Sequence, residues 1–193
     1  MVTAAPATGG SGGFRYLGEE EIARLHRVTV VRARFAAPDG TEFTRDVIRD
    51  KTVVAVVPLL DDGETVLMVR QYRGPIDALL LEIPAGLCDV EGEDDPEITA
   101  QRELAEEIGM RADHLHLLAR VHPAAGLTDC SEHLFLGTGL TAVGLDRQGP
   151  EEAHMTIERL SLRSVPRLIA EGALTDAKSL IGLLAACEHL GLR

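Results

Sequence analysis

Three glutamates stand where chemistry is the best reason for them. Glu103, Glu106 and Glu107 are spaced i, i+3, i+4, so at ~100° per residue they share one face of a helix. Like charges at that spacing cost roughly 0.2–0.5 kcal/mol per pair. Glu106 and Glu107 also fall in the last turn, where the helix dipole disfavours anions. The plain alternative is a solvated acidic face. The chemical reading is a hard divalent cation among the carboxylates, Mg²⁺ in the first place with Mn²⁺ as an alternative, since such ions take oxygen ligands. Arg102, next to Glu103, supplies a planar fork that can orient a carboxylate.

Two further groups carry chemistry. Arg70, Tyr72 and Arg73 lie in VRQYR, and either arginine is a surface strand charge or a contact for an anionic substrate. Glu151 and Glu152 form an acidic pair in a long polar loop, 141–154, after Gly149-Pro150. Carboxylates committed to a metal are weak bases, because the cation favours their ionised form. A general base is therefore expected from the loop, Glu152 first and Glu151 second, with Glu106 next in line. His122, His133 and His154 fit no metal-binding spacing.

The elements that must position these groups follow from the flanking pattern. Asp95 suits an N-cap, Pro96 the first helical position and Gly109 the residue just past the last turn, which brackets a helix. Ala100, Leu104 and Ile108 form its apolar stripe. Residues 1–13 are small and Gly-rich, which predicts disorder. Residues 27–35 and 41–48 alternate around Pro38-Asp39-Gly40 and predict a hairpin. Residues 52–60 are continuously apolar, as in a strand buried on both faces, and 66–73 and 78–83 read as further strands. Strands are also expected at 115–121, 133–140 and 155–162. A short helix follows at 165–171, then a final helix capped by Thr175 or Asp176 whose core stripe is Ala177, Leu180, Ile181, Leu184 and Cys187.

Composition narrows the function. A formal net charge of -12 over 193 residues argues against a nucleic-acid-binding surface, so an anionic substrate must be held by local arginines and cations. No apolar run reaches spanning length and no secretory leader is evident, and three cysteines without metal-type spacing fit reduced thiols; a cytoplasmic location is expected. With no tryptophan, a flat ligand ring would stack on Phe14, Tyr16, Tyr72 or an arginine plane.

The string Gly86…Arg102-Glu103-Leu104-Ala105-Glu106-Glu107-Ile108-Gly109-Met110 resembles the Nudix box, G-x5-E-x7-R-E-U-x-E-E-x-G-U with U aliphatic. The right half matches throughout. Fifteen residues separate Gly86 from Arg102 where the pattern has thirteen, and Asp94 stands where the first Glu belongs. The resemblance implies an α+β Nudix fold, a mixed sheet sandwiched between helices, with metal held by Glu103, Glu106, Glu107 and the carbonyl of Ala85. It also implies that Arg73 reaches a substrate phosphate and that a carboxylate of the 141–154 loop activates water. Arg70, Tyr72 and Gly126, which lies in the loop after the box, are further substrate candidates.

The flanks are similar to the ADP-ribose pyrophosphatase branch. That similarity implies a catalytic domain at 49–193, preceded by a small β element at 14–48 that exchanges with a partner in a homodimer. The implied reaction is hydrolysis of ADP-ribose to AMP and ribose 5-phosphate. One departure is plain: the proline marking that branch falls where this chain has Ala125-Gly126, and Pro123 comes two residues early. Other nucleoside diphosphate sugars are therefore the alternative substrates, and a non-catalytic ligand-sensing module is the alternative of another class. The survival of all three box carboxylates speaks for the enzyme.

Overall fold

The computed structural model describes residues 11–88, 95–145 and 153–192. The chain clusters into two units, residues 11–51 with Ala124–Cys130, and Thr52–Pro123 with residues 131–192.

In the first unit, β1 (Arg15–Arg24), β2 (Thr29–Ala36) and β3 (Glu42–Arg49) form one antiparallel sheet in that order. The expected hairpin is β2–β3, and β1 is an addition that the sequence pattern does not announce. Its segment RYLGEEEIAR has no period-two alternation and buries no residue. Its strand character comes from pairing with β2, with irregularities of register between Tyr16 and Gly18 and between Glu21 and Ala23. Phe14, Tyr16, Phe35 and Phe43 contact one another on this sheet, Phe35 and Phe43 stacked at 5.4 Å between centroids, with Arg45 over the Phe43 ring. Arg49 pairs with Glu19 and with Asp129, tying the segment Ala124–Cys130 to β3.

The second unit runs β4 (Val53–Pro58), β5 (Thr65–Arg73), β6 (Ala78–Glu82), β7 (Ala85–Leu87), α1 (Pro96–Ile108), β8 (Met110–Val121), β9 (Glu132–Ala142), β10 (Thr156–Ser161), α2 (Val165–Ala170) and α3 (Ala177–Leu190). One sheet has the order β7-β4-β9-β8, with β4 and β9 parallel; the other has the order β10-β5-β6. The continuous apolar run of β4 is explained by its two packed faces. Val54 and Val56 pack with Ala100, Leu104 and Ile108 of α1, while Ala55 and Val57 pack with Leu183 and Ala186 of α3.

Helix α1 ends where its local chemistry dictates. The Asp95 side chain accepts from Glu97 N, and Gly109 takes φ 65°, a left-handed conformation that closes the last turn. The face of α3 corrects the expected stripe in part: Leu180 and Cys187 pack against the core as expected, whereas Ala177, Ile181 and Leu184 are exposed. Ile181 and Leu184 are 39% and 48% exposed, and the buried residues are Lys178, Ser179, Gly182, Leu183 and Ala186. Small side chains let the helix axis approach the sheet: a Cβ on Gly182 would meet Ile83 Cδ1 at 3.0 Å. Among the described residues no helix is long and apolar enough to cross a membrane, and the three cysteines form no disulfide.

Candidate active site

The acidic face of α1 is not solvated. Glu103 and Glu107 are 6% and 3% exposed, which decides against the plain reading of a surface charge run. The short strand β7 packs against this face. Ala85 donates its backbone N–H to Glu107 Oε2 at 3.1 Å. Arg102 fans across the same region, with Nη1 at 2.9 Å from Glu103 Oε1 and 3.0 Å from Glu106 Oε2, and with Nη2 donating to the Leu87 carbonyl at 2.9 Å. One guanidinium thus orients two carboxylates and pins the helix to the strand that carries Ala85 and Gly86.

The absence of a side chain at position 86 creates this geometry. A Cβ there would lie 1.9 Å from Glu103 Oε1 and 2.5 Å from Oε2, so only glycine allows the carboxylate to rest on the strand. Glu103, Glu106, Glu107 and the backbone of Ala85 offer a set of hard oxygen donors, which suits a divalent cation of the Mg²⁺ class. Among the described residues no three His, Cys, Asp or Glu side chains converge closely enough to hold a metal ion by themselves, so an ion here would also need backbone, water or substrate oxygens.

On β5 successive side chains project to opposite faces, so Arg73 and Gln71 share one face and Arg70 and Tyr72 the other. Arg73 is close enough to the acidic helix to feel the charge of Glu107. Its Nε and Nη2 each donate to Glu82 at 2.7 Å. Arg70 is instead paired with Glu158 of β10, and the Tyr72 hydroxyl donates to Asp77 at 2.8 Å. The structure brings Arg73 alone of these three towards the box. Gly126 lies in the segment that clusters with the first unit. Glu151 and Glu152 lie outside the described residues.

Sequence reasoning missed two residues here. Glu82 is fully buried and accepts from both Arg73 and Lys178, and Lys178 Nζ is also 3.0 Å from Asp176 Oδ1. Burial pushes the Glu82 carboxyl up, but its bonds to Arg73 and the charge of Lys178 outweigh that and hold it below the usual range. The Arg73 guanidinium is correspondingly raised by the hydrogen bonds to Glu82. A usable signal was present: a lone acid closing the apolar strand ALLLE, and a lysine two residues past an N-cap on an apolar helix.

The described site meets independent likenesses to known proteins. The NUDIX domain model matches residues 49–179. The chain is 37% identical over 154 residues to an ADP-ribose pyrophosphatase of Mycobacterium tuberculosis, covering 80% of this chain and 73% of the relative. It is 31% identical over 142 residues to an ADP-ribose pyrophosphatase of Bacillus subtilis, covering 74% and 75%. A solved structure titled as an ADP compounds hydrolase superposes with a TM-score of 0.80 at 22% identity, over 92% of this chain and 94% of the other, a likeness of fold. With a domain match across most of its length and relatives above 30% identity, the chain belongs to the Nudix hydrolase family.

Proposed function

We propose that the protein is a Mg²⁺-dependent pyrophosphatase that hydrolyses ADP-ribose to AMP and ribose 5-phosphate. The observation that carries this reading is the burial of Glu103 and Glu107, with Glu103 resting on Gly86 and with Arg73, on β5 of the other sheet, within electrostatic reach of Glu107. The names of the two ADP-ribose pyrophosphatase relatives support the choice of substrate. Glu103, Glu106, Glu107 and the Ala85 carbonyl would hold the ion, which when bound neutralises the diphosphate and makes its phosphorus more electrophilic.

The chain's own groups do the rest. Arg102 holds Glu103 and Glu106 in orientation. Arg73 offers a phosphate oxygen the guanidinium donors that Glu82 does not occupy. A carboxylate of the 141–154 loop, Glu152 with Glu151 as the alternative, takes the proton from the attacking water. A cytoplasmic homodimer, with the 14–48 element exchanged onto a partner's 49–193 domain, completes the reading. The Ala125-Gly126 departure favours a second substrate class, other nucleoside diphosphate sugars.

The decisive experiment assays a panel of nucleoside diphosphate compounds and deoxynucleoside triphosphates with Mg²⁺, scored by released monophosphate. ADP-ribose should rank first in kcat/KM, EDTA should abolish turnover, and Glu107→Gln should lower kcat on the order of a hundredfold or more while the fold persists. Full activity in EDTA, or equal use of triphosphates, would overturn the reading.

A further inference from the structure

We infer that Lys178 sets the affinity of the phosphate subsite by acting through Glu82 on Arg73, a positioning role that rests on reading Arg73 as the phosphate contact. A guanidinium bound by two prongs to one buried carboxylate is a neutral pair, and a neutral pair is a weak receptor for an anion. Arg73 and Glu82 form such a pair, both bonds at 2.7 Å and the carboxylate fully buried. Lys178 changes the sum. Its Nζ donates to the same carboxylate, to Oε2, which Arg73 Nη2 also uses, so the trio Arg73–Glu82–Lys178 carries a net positive charge. The surplus is presented on the partly exposed member, since the Arg73 side chain is 39% exposed and that of Lys178 only 10%.

The far end of the network opposes this. Asp176 Oδ1 lies 3.0 Å from Lys178 Nζ, while its Oδ2 accepts from Ser179 N at 3.0 Å and Ser179 Oγ at 2.6 Å as the cap of α3. Ser179 Oγ in turn accepts from Ile83 N at 2.9 Å, which locks the helix start to the residue after Glu82. Glu132, also buried, faces Lys178 and Asp176. Lys178 is therefore bonded to Glu82 on one side and to Asp176 on the other, with the charge of Glu132 also acting on it. This arrangement predicts opposite effects for its two neighbouring charges: removing Lys178 weakens substrate binding, and removing the charge of Asp176 strengthens it.

The test uses Lys178→Met and Asp176→Asn in the full chain, each alone and combined with Arg73→Ala, with steady-state kinetics on ADP-ribose and Mg²⁺. Lys178→Met should raise KM about tenfold with kcat within about twofold. Asp176→Asn keeps an N-cap and should lower KM by about twofold or more. Both effects should vanish when Arg73 is alanine, as a double-mutant cycle requires of residues acting through it. Should Lys178→Met fail to fold, the sign of the Asp176→Asn effect and its dependence on Arg73 decide alone. An unchanged KM in Arg73→Ala would sink the reading of Arg73 and this role with it. If Arg73→Ala raises KM while Asp176→Asn leaves it unchanged or raises it, or the effects persist without Arg73, the role of Lys178 alone is overturned.

Discussion

Gly86 and Glu103 occupy what would otherwise be the same space: a Cβ on Gly86 would stand 2.1 Å from the Glu103 carboxyl carbon. Arg102 Nη1 holds the same carboxylate at 2.9 Å, and Glu103 is buried, so a shift of Glu103 would break that ion pair. Gly86→Ala should therefore destabilise the protein by about 1–3 kcal/mol, the usual cost of overpacking. It should also lower turnover by displacing Glu103. Urea denaturation followed by circular dichroism measures the first effect, and monophosphate release the second. A variant of wild-type stability and activity would show that the strand and helix are not locked together.

Glu132 gives a pH prediction. Burial pushes its carboxyl above the ordinary range, and the charge of Lys178 offsets this only in part. A carboxyl raised in the folded state binds its proton more tightly than the unfolded chain does. Its contribution to stability is thus present below the unfolded pKa near 4.3 and is lost as pH rises through the folded value. Glu132→Gln should consequently raise Tm more at about pH 8 than at about pH 4, read by scanning calorimetry.

The loop base makes a kinetic prediction. Loss of a general base typically costs about 10²–10⁴ in rate. Glu152→Gln should lower kcat by that order with little change in KM, and Glu151→Gln should do less. Near-normal kcat in both variants and in the double variant would move the role to Glu106.

Assembly is tested by mass. Of the sheet β1–β3 only Val31, Ala33 and Ala36 are buried, and Phe14 and Tyr16 are exposed. A small sheet with an uncovered aromatic face is marginal alone. Light scattering at micromolar protein should give a dimer mass, and a fully active monomer would rule the exchange out.

Local chemistry was enough for α1. Its cap at Asp95, the proline after it, the glycine that closes it and the three-carboxylate face are all decided within a few residues, because capping and helical periodicity are short-range. The buried run of β4 was equally plain, since a strand covered on both faces has no polar alternation to keep. Strand β1 was not legible: a segment with three consecutive glutamates becomes a strand only because β2 offers its edge. The face of α3 was only half legible, Leu180 and Cys187 lying against the core and Ile181 and Leu184 not, for the same kind of reason. Periodicity favours the large apolar side chains Ile181 and Leu184, but the sheet accepts the small residues around Gly182 and the lysine that answers a buried Glu82. Which face of a helix is buried depends on how closely the axes approach and on which charge waits in the partner, and neither quantity exists until the chain has folded.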